Sequence, residues 1–254
     1  VNLRAGVLRA PVNRLGGELR GLLQLGDEPG LLVDYYQPLG VEGDYFFVSQ
    51  ASYESPKFGL FDASGERLAN YRVPNFGIDL AVGREFGNYG AATLGLRRRY
   101  GEVQLEIGNP LFSGLDFDQG EVELALTYDR IDSTYLPRAG TYAVLSSVLS
   151  RTGLGADTDY TQSNLDLVSA HAIGKHSGFG GFRYHVTSDD DIPVPGLFRL
   201  GGLTRFAGYR PNERLAQNYA LAYAGYTYEL GRVLSRSAVL GGTIELGRTW
   251  GRGQ

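Results

Sequence analysis

The sequence predicts an all-β protein, a transmembrane antiparallel β-barrel of the outer-membrane type with about 12 strands present. Three observations carry this expectation. Apolar and polar residues alternate with period two between turn signals, the pattern of a strand with one apolar and one polar face. No window holds the roughly 20 apolar residues that a spanning helix needs, and runs such as 142–149 and 219–226 stop well short of that length. The 37 glycines, 17 tyrosines and 12 phenylalanines among 254 residues suit turns, strands and aromatic girdles better than helices.

In chain order the strands fall at 2–10, 15–26, 29–37, 43–62, 66–85, 89–108, 119–131, 140–151, 161–174, 178–189, 217–230 and 237–250. In the second, Leu19, Leu23 and Leu25 oppose Glu18, Arg20 and Gln24. In the fifth, Phe76, Ile78, Leu80 and Val82 share one face, and Gly77, Asp79, Ala81 and Gly83 the other. In the seventh, Val122, Leu124, Leu126 and Tyr128 oppose Glu121, Glu123, Thr127 and Asp129. In the last, Ala238, Leu240, Ile244 and Leu246 oppose Thr243 and Glu245. Several strands exceed the roughly 9–11 residues of a tilted membrane strand, so they are expected to overshoot the bilayer at an extracellular rim.

The connections alternate in length. Those at 10–14, 86–89 and 174–177 are short, and those at 108–120, 151–162 and 191–217 are long. Two short ones, 26–30 and 62–67, fall on the long side. Short periplasmic turns and longer extracellular loops are the outer-membrane arrangement. Tyr35, Tyr45, Tyr89, Tyr128, Tyr142 and Tyr228 lie near the short-turn ends, as an interfacial aromatic belt would. A soluble barrel alternates too, with its apolar face inward, and a two-sheet sandwich also accommodates short strands and turns. A barrel of this strand number is too wide for one apolar layer to fill; charged residues on the second face then line a wet lumen.

The formal net charge of −4 gives no nucleic-acid footprint. Lys57 and Lys175 are the only lysines, so nearly all positive charge is arginine, which fits a polar lumen and equally a GC-rich genome. The absence of cysteine excludes disulfides, thiolate metal sites and cysteine nucleophiles. Methionine is also absent, including at position 1; the expectation is a single barrel domain over 1–254, trimmed from a longer protein whose export signal lies upstream. No Gly-x-Ser-x-Gly elbow exists, and Ser177, beside His176, is expected in a tight turn. His171, His176 and His185 read as turn and lumen residues before they read as a metal trio. The glycines at 178, 180 and 181 lack a phosphate-loop lysine and a following helix. The run Asp189, Asp190, Asp191 reads as a solvated loop, with a surface divalent cation as the alternative. Neither a catalytic site nor a cofactor is expected.

Three motifs stand out. Asp129, Asp132, Pro137 and Gly140 punctuate a charged turn between two strands. Leu200 to Tyr209 forms a glycine-rich apolar stretch in the longest loop. Ile244 to Trp250 carries the acidic Glu245 two residues before Gly247. In this order they resemble the bacterial surface antigen superfamily, the barrels of outer-membrane assembly factors and two-partner secretion transporters. The resemblance implies a sixteen-stranded barrel, here from the second to the thirteenth strand, with an inward-folded loop carrying Gly201, Gly202, Arg205, Phe206, Gly208 and Tyr209. Phe206 and Tyr209 are then expected to be buried, and Arg205 to find an acidic wall partner, Glu245. The family's loop arginine precedes the Gly-aromatic pair; here that position is Ala207. A small residue there, with the segments at 15–20 and 71–73, is similar to barrels attached to patatin-like phospholipases. That branch implies a non-catalytic translocator of an autotransporter. Its partners would be outer-membrane lipids, the barrel-assembly machinery and its own passenger domain. The alternatives are a secretion or assembly factor and a passive porin-like barrel.

Overall fold

The computed structural model describes residues 2–40, 43–61, 66–108, 114–189, 192–193, 196–233 and 236–251. The strands are β1 (Asn2–Arg9), β2 (Glu18–Gly26), β3 (Gly30–Leu39), β4 (Tyr45–Glu54), β5 (Lys57–Phe61), β6 (Arg67–Arg72), β7 (Asn75–Glu85) and β8 (Gly90–Gly108). They continue with β9 (Leu115–Asp129), β10 (Gly140–Ser150), β11 (Tyr160–Ile173), β12 (His176–Thr187), β13 (Phe198–Leu200), β14 (Arg214–Ala216), β15 (Asn218–Val233) and β16 (Arg236–Trp250). One antiparallel sheet runs β1-β2-β3-β4-β7-β8-β9-β10-β11-β12-β15-β16, with β5 and β6 off this path and β13–β14 forming a separate hairpin.

The path has the twelve long strands expected from periodicity, and two of them are broken. The strand expected over 43–62 stops at Glu54, and the one over 66–85 is interrupted after Arg72. Pro56 and Pro74 are the cause, because proline cannot donate to a ladder and is excluded from strand interiors. The segments between the breaks become the β5–β6 hairpin. Its β6 pairs with the far end of the 19-residue β8, Asn70 opposite Ile107 and Arg72 opposite Gln104. Ala69, Tyr71, Val73, Val103 and Phe117 pack there as a small core.

The two faces of the sheet differ in the sense that lipid requires. The apolar set points outward: Leu124 is 54% exposed, Ile244 73% and Leu246 79%. The charged set lines the other face and pairs within itself. Arg97 on β8 binds Asp79 on β7 at 2.6 Å, and Glu121 and Glu123 on β9 at 3.3 and 3.0 Å. A soluble barrel or a sandwich would bury the apolar set and expose the charges; this sheet does the reverse.

Leu124 therefore meets lipid. Leu124→Arg should cost about 2–4 kcal/mol near the midplane, and Ala125→Arg, on the inner face of the same strand, much less. Glu123 would be a poor control, since its carboxylate holds Arg97. Refolding titrations into phospholipid vesicles measure both; equal losses would remove the assignment of faces.

Candidate functional site: the loop seated on the inner wall

The segment between β12 and β15 carries the β13–β14 hairpin, with Phe198 opposite Ala216 and Leu200 opposite Arg214. Its tip turns back sharply. Gly201 has φ +126°, and a Cβ there would lie 1.9 Å from the Arg210 carbonyl oxygen, so only glycine fits. Gly202 follows at φ +92°. Thr204, Phe206 and Asn212, the non-glycine residues with positive φ among the described residues, are all in this tip. Such conformations hold only where the surroundings over-determine them.

Glu245 supplies that determination. Its side chain points from β16 to the inner face, and its carboxylate accepts hydrogen bonds from three loop N–H groups. Thr204 donates at 2.7 Å, Phe206 at 2.8 Å and Ala207 at 2.9 Å. Alternating right- and left-handed backbone turns successive N–H groups toward one point, a concavity that binds anions. Phe206 then lies over Gly247, where a Cβ would come within 2.7 Å of its ring, and meets Tyr219 edge-on at 6.3 Å. Around them Leu200, Ala216, Tyr219, Leu221 and Tyr223 are buried, with Val168, Phe179 and Phe198 against them. The loop thus covers the inner wall formed by β11, β12, β15 and β16.

The expected ion pair between Arg205 and Glu245 is not formed. The backbone amides occupy the Glu245 oxygens, and the Arg205 side chain is exposed, within electrostatic reach of Asp166. Tyr209 also departs from expectation: it stays exposed because Arg214 takes its ring, with the guanidinium 4.6 Å over it and a 3.2 Å hydrogen bond to its hydroxyl. Gly208 is not demanded by the turn, since a Cβ there would meet nothing within 4 Å.

Sequence reasoning missed the polar cluster beside the loop. The His185 Nε2 lies 3.0 Å from Asp166 Oδ2, and Arg183 reaches Asp166 Oδ1 at 3.3 Å. His185 stacks on Tyr219 at 4.6 Å and meets Phe198 of the hairpin edge-on at 5.1 Å. His176 is elsewhere, against Tyr226. Among the described residues no three metal-ligating side chains converge; Asp190 and Asp191 lie outside the described residues.

The turn between β9 and β10 is built by its motif residues. Asp132 Oδ1 accepts the N–H groups of Arg138 at 2.9 Å and Ala139 at 3.1 Å, and Asp129 Oδ1 accepts that of Ile131 at 3.2 Å. Gly140 sits at φ +99°, where a Cβ would collide with the Arg130 carbonyl, and Pro137 is buried. The residue not foreseen is Arg138. Its guanidinium donates to Glu229 at 2.9 Å and to the Gly174 carbonyl at 2.6 Å, tying the short-turn ends of three strand pairs together.

An antiparallel sheet with lipid-facing leucines, a charged inner wall and a loop seated on that wall defines an outer-membrane β-barrel with a lumenal loop. The chain belongs to the Omp85 superfamily: the Omp85 superfamily domain matches residues 24–244, and the barrel is one of the Gram-negative outer membrane. The fold is similar to the crystal structure of BamA from Haemophilus ducreyi lacking POTRA domains 1–3. The TM-score is 0.77 at 14% identity, over 98% of this chain and 55% of that one. It is also similar to CdiB from Acinetobacter baumannii, with a TM-score of 0.58 at 12% identity, over 99% of this chain and 50% of that one. The chain spans about half the length of these solved chains. No curated protein sequence matches it.

Glu245→Ala leaves three backbone donors without their acceptor and should destabilise the loop by about 1–3 kcal/mol, whereas Glu245→Gln retains an acceptor and should lose less. Arg205→Ala should add to Glu245→Ala to within about 0.5 kcal/mol. Denaturation of the single and double variants measures this, and a clear coupling would restore the side-chain pair. In the turn, the N–H of Arg138, followed by that of Ala139, holds the Asp132 carboxyl below its ordinary pKa. Its contribution is therefore complete above the unfolded carboxyl pKa, about 3.9, and is lost as pH falls through the lower folded value. Asp132→Asn should flatten that part of an acid-unfolding curve; an unchanged curve would show that the carboxylate contributes nothing there.

Proposed function

We propose that this chain is the membrane barrel of a protein that moves polypeptide across the outer membrane, non-catalytic in itself. The observation that carries the reading is the loop seat: a loop is held on the inner wall by Glu245 and Gly247, where it occupies lumen that an open channel would leave to water. In the particular form we favour, the barrel is the translocator and anchor of a patatin-like autotransporter, with long loops outside the cell and short turns in the periplasm. Ala207 before Gly208 and Tyr209 supports that form, and so does the way the loop is held through its backbone rather than through an arginine side chain. Its partners are then outer-membrane lipids, the barrel-assembly machinery and its own passenger domain.

A second reading, a secretion or assembly factor acting on other proteins, is supported by the fold shared with BamA and CdiB. One experiment separates the two. The full-length protein is expressed in intact Gram-negative cells, and protease is added outside. Digestion of a passenger domain at the cell surface is the expected outcome. Protection of every domain outside the barrel would remove the autotransporter form and leave the second reading. Large, steady conductance of the full-length protein in planar bilayers would overturn both in favour of a porin.

A further inference from the structure

The lipid-facing side of the sheet carries a charge that its surroundings do not neutralise. Arg84 ends β7 at the short-turn side, in register with Tyr45 of β4 and Ala92 of β8. It falls on the same face as Phe76, Ile78, Leu80 and Val82. Its guanidinium carbon lies 5.4 Å from the Tyr45 ring centroid and 5.8 Å from that of Phe86. All three side chains are exposed. Among the described residues Arg84 makes no ion pair and no side-chain hydrogen bond. Arg97, by contrast, faces the lumen and holds three carboxylates.

An arginine facing hydrocarbon at the midplane would be destabilising, while one at the interface is nearly free of that penalty. Arg84 is the second-last residue of β7, at the short-turn end where Tyr89 of the turn meets Tyr128 of β9 at 6.4 Å, the level at which an aromatic belt marks the interface. The Tyr45 and Phe86 rings lie within cation–π reach of Arg84, and no acceptor among the described residues takes its guanidinium N–H groups. These groups form a fork matched to two oxygens of a phosphate. On the β8 side its register partner is only a methyl group, that of Ala92, so the surface beside the fork is not filled from the protein. Leu80, Val82 and Leu94 continue from this point toward the middle of the sheet as an apolar track on the same face.

We propose that Arg84, Tyr45 and Phe86 form a binding site for the phosphodiester headgroup of an anionic phospholipid in the leaflet at the short-turn end, with the acyl chains against Leu80, Val82 and Leu94. The site stands on the lipid-facing geometry alone and is independent of what the barrel transports.

The test uses the full-length protein folded into nanodiscs of phosphatidylethanolamine containing a minor fraction of phosphatidylglycerol. After gentle extraction into detergent, retained lipid is counted by native mass spectrometry. The wild type should keep phosphatidylglycerol selectively. Arg84→Gln should retain it about tenfold more weakly, as loss of a charge-assisted bidentate contact implies. Arg84→Lys should recover part of the retention, because the charge remains and the fork does not. Tyr45→Leu should weaken retention with Arg84 intact, and it keeps the proposal testable if an Arg84 variant fails to fold. Equal retention by wild type, Arg84→Gln and Tyr45→Leu would overturn the site. Displacement of the lipid by millimolar inorganic phosphate would overturn it too, since the site would then hold a free anion rather than a headgroup.

Discussion

In hydrocarbon no water is present to satisfy a backbone N–H or C=O, so the strands of this chain must satisfy one another. The ladder from β1 to β16 meets that constraint for every strand between its two edges, and the other features follow from it. A pleated ladder sends alternate side chains to opposite faces. Once one face meets lipid, its residues must be apolar, and the polar residues have only the inner face to occupy. Leucines that would be core residues in a soluble protein therefore stand exposed on the outside. The breaks occur where the constraint lapses: Pro56 and Pro74 interrupt strands only at the long-loop end, where the β5–β6 hairpin departs from the path.

Collecting charge on the inner face creates its own requirement. Charges gathered on one wall repel or pair according to arrangement, and here they pair across neighbouring strands: Arg97 bridges β7 and β9, and Asp166 on β11 joins Arg183 and His185 on β12. Glu245 belongs to that wall, but among the described residues no basic side chain pairs with it. It is neutralised by backbone N–H groups instead, which a loop can supply only by adopting left-handed φ at Thr204 and Phe206. The strain of the loop and the charge of the wall compensate each other, and each explains why the other is tolerated.

This division also governs what was legible in the sequence. Period two survives in the residue order, so ten of the twelve path strands were readable to within about four residues, the exceptions being the two broken at Pro56 and Pro74, and the lumenal side of Glu245 was readable from its neighbours Ile244 and Leu246. Its partner was not. An amide carries no signature in the residue types, and Thr204 and Phe206 are not residues whose type announces positive φ. Arg205, the visible cation, drew the assignment that its own backbone neighbours fill. Arg138 was unreadable for a different reason: its partner Glu229 lies 91 positions away, and a contact of that separation exists only after three turns have been brought to one end. The strands expected over 43–62 and 66–85 run through Pro56 and Pro74, and the hairpin these prolines create could not be foreseen without knowing that the end of β8 is free to pair.

The inner wall has a second regularity, which bears on how firmly the loop sits. Rings on this face lie over glycines of the adjacent strand: Phe46 over Gly83, Phe179 over Gly225 and Tyr223 over Gly181, each a direct register pair, with an added Cβ falling 2.1–2.2 Å from the ring. A glycine weakens a strand, and an aromatic side chain covering it restores the lost packing. Phe206 over Gly247 repeats this arrangement with one difference, that the ring comes from the loop rather than from a strand. The loop is thus packed by the same device that packs the wall against itself. To leave, it must give up the carboxylate of Glu245 and uncover Gly247 together, since the two are successive inward-facing positions of β16. Removing one alone leaves the other in place, and the loop should come away as a unit or not at all.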